Sequence, residues 1–166
     1  TMQSGFHNLP TVNGTDQCAG KQYKAVNVKF ADKGKNVSFS ADIAQAYPQE
    51  AEVGRWIRSY TLKRENEFIV SDQWILDGLV KSPQILNFMT TCTPEINKGF
   101  LLLKHKDFVL KMTFDARILH PVIEQIPLKD SKLRSNWEVD YLFRIRLITT
   151  ETFCRGKTQV VVSPMD

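Results

Sequence analysis

The 166-residue sequence predicts an all-β fold, an antiparallel β-sandwich of about ten or more strands. Three observations carry this. Apolar residues recur with period two, most regularly at Val139, Tyr141, Phe143, Ile145 and Leu147, which lines them up on one face of a strand. Turn signals punctuate the chain at intervals of roughly 8–12 residues. No stretch shows the apolar stripe of an amphipathic helix. The chain is long enough to bury a core of its own. It contains no internal repeat and no low-complexity segment, so residues 1–166 are expected to form a single domain.

In chain order, the first informative stretch runs from Gly5 to Gln17. It reads as a strand that carries His7 into a tight turn at Asn13-Gly14, because both central residues of a type I′ turn need positive φ. From Tyr23, the residues Lys24, Val26, Val28 and Phe30 alternate with Ala25, Asn27 and Lys29. After a turn over Ala31–Lys35, the residues Val37, Phe39, Ala41 and Ile43 alternate with polar ones. This predicts a hairpin with one buried and one wet face. A short helical turn is expected over Asp42–Ala46, and Tyr47-Pro48 favours an extended turn.

Glu52–Arg64 is a long strand with Trp56, Arg58, Tyr60 and Leu62 on one side. It returns through Asn66 as Glu67–Leu76, and Asp77-Gly78 marks the next turn. Ile85–Cys92 is a further strand, Pro94–Lys98 a turn and Gly99–Leu103 a strand. Phe108, Leu110, Met112 and Phe114 form another alternating face. Pro121 interrupts Ile118–Ile126, which suggests an edge strand or a bulge. Pro127–Trp137 is charged and irregular and is expected to be a loop. The strand from Val139 follows, with Arg144 and Arg146 on its opposite face, and Gln159–Val162 closes the fold.

Composition excludes several classes. The longest apolar run, Gly99–Leu103, is far short of the ~20 residues of a membrane-spanning helix. The net charge is +4, but acidic residues are interspersed throughout and no Lys/Arg block of nucleic-acid type is present. The balance favours an anionic partner only weakly. The three cysteines, Cys18, Cys92 and Cys154, show no C-x-x-C spacing. They are idle thiols, or one disulfide with a spare thiol. No nucleophile elbow, phosphate-binding glycine loop or kinase signature occurs.

Three histidines offer a group that titrates near neutrality. His7 lies beside a turn, His105 in the charged tip Lys104–Asp107, and His120 before Pro121 in an edge or core strand. Asp42 and Asp72 end strand patterns, where they could orient His7, cap turns or pair with Arg55 and Arg58. Tyr47, Trp56, Trp74 and Trp137 could stack on sugar rings or fill the core. Asn13-Gly14-Thr15 and Asn36-Val37-Ser38 match the N-glycosylation pattern. No paired histidines or clustered ligands suggest a metal site.

An ordered series of residues resembles one family. His7-Asn8 with Thr11–Gly14 and Asp16-Gln17 is similar to the opening of the C-terminal β-domain of heparinase II/III-like polysaccharide lyases. Ser40–Asp42 with Ala46-Tyr47, then Trp56–Ser59, Phe68–Asp72 and Asn87–Thr90, resemble its successive strands in order. The similarity covers roughly residues 5–95. It implies a bacterial, periplasmic or secreted enzyme that joins an N-terminal α/α toroid to this domain. Such enzymes cleave an acidic, uronate-containing polysaccharide such as a glycosaminoglycan by β-elimination. The resemblance makes His7 the catalytic candidate, as carboxylate neutraliser or proton-transfer group. Asn8, Arg58 and Trp56 are the substrate-binding candidates. With the toroid missing from this chain, the isolated domain is expected to be inactive. The alternative is a non-catalytic carbohydrate-binding β-sandwich. Some members of the family hold a structural zinc through His and Asp ligands. Here no histidine lies between His7 and His105, and Phe88–Thr93 offers only Cys92, so no metal or other cofactor is expected. Neither a nucleic-acid partner nor a membrane span is expected.

Overall fold

The computed structural model describes residues 3–165. Its strands are β1 (Pro10–Thr11), β2 (Val26–Asp32), β3 (Asn36–Asp42), β4 (Val53–Lys63), β5 (Glu67–Leu76) and β6 (Ile85–Thr90). They continue as β7 (Thr93–Asn97), β8 (Phe100–Lys104), β9 (Val109–Thr113), β10 (Leu119–Pro127), β11 (Tyr141–Thr149) and β12 (Arg155–Pro164). One short helix, α1 (Ser131–Trp137), joins β10 to β11. Single 3-10 turns lie at Ser4–Phe6, Ala44–Ala46 and Gln49–Ala51.

The strands form two antiparallel sheets. One has four strands in the order β1-β6-β11-β10, and the other eight in the order β2-β3-β4-β5-β12-β9-β8-β7. The antiparallel sandwich is therefore as expected, and its period-two patterns explain the core. On β4 and β5 the buried residues alternate, with Trp56 and Arg58 facing inward beside Val70, Asp72, Trp74 and Leu76. Leu86 and Phe88 from β6 and Ile145 and Leu147 from β11 close the core from the smaller sheet. Trp56 and Trp74 stack at its centre, with ring centroids 5.0 Å apart. Gly156 is paired with Trp74 across β12 and β5, and a Cβ there would lie 2.1 Å from the ring. The absence of a side chain is what lets the indole lie flat.

Several local expectations are met. Asn13 and Gly14 both have positive φ, 51° and 74°, and Val12 and Thr15 exchange backbone hydrogen bonds of 2.9 and 2.8 Å. That is the two-residue hairpin the Asn-Gly pair predicts. Pro121 sits on β10, an edge of the four-stranded sheet, where a missing N–H goes unnoticed.

Others need correction. Pro94–Lys98 is not a turn: Thr93–Asn97 forms β7, and the turn comes later at Gly99, φ 84°. Pro94 is tolerated because β7 is the edge of the larger sheet. Pro127–Trp137 is not all loop. Asp130 accepts a hydrogen bond from the Leu133 N–H (2.9 Å) and starts α1, and Glu138 ends it at φ 54°. The β2–β3 hairpin forms, and Ala41 and Ile43 of its apolar face enter the core, but the β2 part of that face is not buried. Val28 and Phe30 are 56% and 69% exposed. The register slips between Val26 and Lys29, with Asn27 at φ 53°, so β2 bulges at the sheet edge.

Candidate functional site

His7 does not lie in a strand. It follows the 3-10 turn Ser4–Phe6 in extended conformation, and its side chain is exposed. The backbone that carries it is pinned residue by residue. The Ser4 hydroxyl accepts from the Gln17 N–H at 2.9 Å. The Gly5 N–H donates to Asp16 (3.2 Å), and the Gly5 carbonyl accepts from Arg144 (2.8 Å). The His7 carbonyl accepts from the Leu9 N–H at 2.8 Å. The Asn8 carbonyl accepts from Arg58 Nη1 at 2.5 Å, and Asn8 Oδ1 accepts from the Met89 N–H at 2.6 Å. The Leu9 carbonyl accepts from Asn87 Nδ2 at 2.9 Å. Backbone groups face the protein and the Phe6 and His7 side chains face out, so the histidine stands on a fixed platform.

Arg58 carries that platform from the core. It is 1% exposed and makes a bidentate ion pair with Asp72, Nε to Oδ1 and Nη2 to Oδ2, both 2.8 Å. Trp56 Nε1 donates to the same Asp72 Oδ1 at 2.6 Å. Burial pushes the Arg58 guanidinium down, but the Asp72 charge and hydrogen bonds outweigh it and hold the group above its ordinary value. Trp56 is 0% exposed. Trp56 and Arg58 thus lie in the core, and their reach to the His7 segment runs through the Asn8 carbonyl. Tyr47 is buried too, and its hydroxyl donates to the Pro10 carbonyl at 2.6 Å, fixing β1. Burial pushes its phenol well above the ordinary range.

His7 opens onto a cleft of about 310 Å³ between the N-terminal turn, α1 and the end of the smaller sheet. Phe6, Met89, Leu133 and Leu142 give it apolar walls, and Trp137 and Lys129 stand at it as well. Trp137 is 49% exposed, whereas Trp74 is 2% exposed and donates to the Phe153 carbonyl. Of the three tryptophans, Trp137 is the one with a face open to a ligand. The Arg144 guanidinium lies over the Phe6 ring, 5.0 Å from its centroid, and also binds Glu124. Glu124 bridges Arg144 and Arg146. Burial pushes its carboxyl up, but the two guanidinium hydrogen bonds outweigh that and hold it below the ordinary range.

The cleft therefore unites His7 with Trp137, which the sequence offers separately, and adds Lys129, Leu133 and Met89, which sequence reasoning missed. For Lys129 and Leu133 the signal was Asp130 as a helix N-cap, since α1 brings Leu133 and Trp137 round to the histidine, whereas Met89 lies on β6 and carried no such signal. The other candidates lie elsewhere. His105 stacks on Phe108 at the β8–β9 tip, and His120 is exposed on β10. Asp42 binds the Ala44 and Trp56 N–H groups, ending β3. Asn13 is buried and bonded through Nδ2 to the Ala51 carbonyl, whereas Asn36 is exposed at a hairpin tip. The cysteines are free thiols, with Cys92 buried. Among the described residues, no three His, Cys, Asp or Glu side chains lie close enough to share a metal ion. No helix among the described residues is long and apolar enough to cross a membrane.

Solved structures share this architecture. Heparan sulfate lyase HepC from Pedobacter heparinus matches 99% of this chain with a TM-score of 0.70 at 13% identity. The heparinase III product of BT4657 matches 98% with a TM-score of 0.69 at 10% identity. The fold is that of a heparinase III β-domain. At these identities the likeness establishes the fold of the matched part and not the chemistry. The chain spans 25% of HepC and 24% of the heparinase III chain, so it corresponds to about a quarter of such a lyase. No family model and no curated protein matches the sequence.

Proposed function

We propose that this chain is the β-domain of a polysaccharide lyase that acts by β-elimination on an acidic, uronate-containing glycan, with His7 as its catalytic contribution. The observation that carries this reading is the placement of His7, exposed at a cleft with Trp137 and Lys129 on a backbone fixed at nearly every residue. The heparinase III fold supports it independently.

In such a reaction the uronate carboxylate is neutralised, which acidifies the C5 proton. A base removes that proton, the C4–O4 bond breaks, an acid protonates the leaving O4, and a C4–C5 double bond remains. An imidazole suits either carboxylate neutralisation or proton transfer. Trp137 supplies an aromatic plate for a sugar face, and the Lys129 ammonium supplies charge for an anionic glycan. Asn8 and Arg58 act in this scheme by holding the His7 backbone.

The test is formation of the unsaturated uronate chromophore from a panel of acidic polysaccharides, using the longest polypeptide that carries this chain. Activity that His7→Ala abolishes, while the variant melts as the parent does, is the expected result. An inert parent, or a His7→Ala variant of full activity, overturns the reading. Unchanged glycan retention by an inert parent, lost in Trp137→Ala, favours a binding module instead. That second reading draws on the exposed Trp137 alone.

A further inference from the structure

We propose that the outer face of the eight-stranded sheet, turned away from the His7 cleft, is a second contact surface for an acidic glycan, anchored in a hollow that holds Lys29 and Arg55. It shares its ligand class with the lyase reading but none of its chemistry, and it does not depend on His7.

Register builds the surface. On β4 the buried Trp56 and Arg58 face the core, so Arg55, Ile57 and Ser59 point the other way. Cross-strand partners share a face, and one row therefore runs from Lys29 through Ser40, Ser59 and Ser71 to Gln159. Gln159 Nε2 donates to Ser71 Oγ at 3.4 Å, so these two side chains do lie together. The next row sets Gln73 and Lys157 beside Ile57, and the one after it sets Arg55 and Arg155 on either side of Ile75. Four strand spacings of about 4.8 Å make the patch about 19 Å wide.

Two bulges aim the anchor. The β2 register slips between Val26 and Lys29, and the β4 register between Val53 and Arg55. Such bulges redirect side chains. β3 lies between the two strands, and Lys29, Ser40, Arg55 and Asn27 line a hollow of about 310 Å³ there.

Charge selects the ligand. Lys29, Arg55, Arg155 and Lys157 are exposed, and none of them makes an ion pair among the described residues. Register places two acidic residues on this face of β2–β5 and β12, and both are engaged. Asp42 accepts from the Ala44 and Trp56 N–H groups, and Glu67 pairs with Lys63. The fold thus gathers onto one face positive charge that is dispersed along the sequence, and a face of that kind attracts a polyanion. The groups between the cations decide which polyanion. A glycan alternates its carboxylates or sulfates with hydroxyl groups, and Ser40, Ser59, Ser71, Gln73 and Gln159 offer hydrogen bonds to both. Single-stranded nucleic acid needs aromatic plates for its bases, and these rows contain none. A membrane surface needs apolar side chains to insert, and the two on these rows, Ile57 and Ile75, are half-buried.

Affinity electrophoresis through heparan sulfate, which carries carboxylates and sulfates, tests this. The protein is the longest polypeptide that carries this chain, in a His7→Ala background so that no cleavage consumes the probe. An exposed ion pair changes affinity roughly two- to threefold, so Lys29→Ser/Arg55→Ser/Lys157→Ser is expected to weaken binding about tenfold. Its salt dependence should flatten as well. The charge-matched Lys21→Ser/Lys98→Ser/Lys106→Ser, at exposed positions outside these rows, is expected to weaken binding no more than about twofold. Lys157→Glu alone lies away from both bulges and should weaken binding about threefold or more, which keeps the test sound if the triple variant melts early. A parent that does not bind, equal losses in the two triple variants, or equal affinity for neutral dextran overturns the proposal. So does tighter binding of poly(dT) or of phosphatidylglycerol vesicles that the same variant loses, which assigns the face to nucleic acid or membrane. Retention lost in the triple variant while the His7-bearing parent forms no unsaturated product keeps this surface and removes the lyase reading. Product formation with retention unchanged in the triple variant does the reverse.

Discussion

Replacing Asp72 by alanine tests whether the core holds the His7 segment. Asp72 is 1% exposed and is the ion-pair partner of Arg58, which is equally buried. Its removal leaves a guanidinium without a counter-charge in the core, a change that costs roughly 3–5 kcal/mol. It also strips the Trp56 N–H of its acceptor, which costs roughly 1–3 kcal/mol. The two losses share one carboxylate and do not add fully, so we expect about 4 kcal/mol. For a domain of this size that lowers Tm by roughly 10 °C. Urea denaturation measures the loss. The double variant Arg58→Met/Asp72→Leu removes both charges and is expected to fall within about 2 kcal/mol of the parent, since no charge is stranded. Hydrogen exchange supplies the second readout. Without Asp72 nothing fixes the Arg58 guanidinium in its place beside the Asn8 carbonyl, so the Met89 amide, which donates to Asn8, should exchange faster in Asp72→Ala. A loss below about 1 kcal/mol for Asp72→Ala, or a double variant as unstable as the single one, refutes the reasoning.

Two further outcomes follow from particular contacts. Gly156→Ala places a methyl group 2.1 Å from a Trp74 ring carbon, so the indole must shift and disturb its stack on Trp56. A destabilisation of about 1–3 kcal/mol with an altered near-ultraviolet dichroism spectrum is expected, and a neutral substitution would show that the ring has room to move. Glu124 is held below its ordinary value of 4.5 by Arg144 and Arg146. A depressed carboxyl contributes stability that is complete above the unfolded value and is lost as pH falls through the folded one. Glu124→Gln should therefore lower the urea midpoint at neutral pH, with the difference from the parent closing below pH 4.5; a difference that does not change with pH would refute the ion-pair account.

Period-two alternation exposed most of the fold, because a strand between water and core must alternate. The β4, β5, β9 and β11 faces were readable for that reason. The errors share one cause, which is that edges and connections obey weaker constraints. Pro94 reads as a turn residue, yet at a sheet edge its missing N–H is harmless. The alternation of Lys24–Phe30 is real, yet its apolar side finds no cover among the described residues. The α1 helix is too short to show a period, and its one signal was the Asp130 cap. In the site, the Asn-Gly hairpin beyond His7 was legible, but the 3-10 turn that carries the histidine was not. The burial of Trp56 and Arg58 was not, since alternation says which residues share a face but not whether that face is wet.

On the lyase reading, the cleft falls one group short of its chemistry. β-Elimination needs a carboxylate neutraliser, a base and an acid, which one or two groups can share only if the same proton carrier serves twice. Among the described residues at the cleft, His7 and Lys129 are the two with ionisable side chains, and Trp137 offers only a surface. Two groups on one side of a glycan also leave its opposite face in water, where a developing carbanion is poorly stabilised.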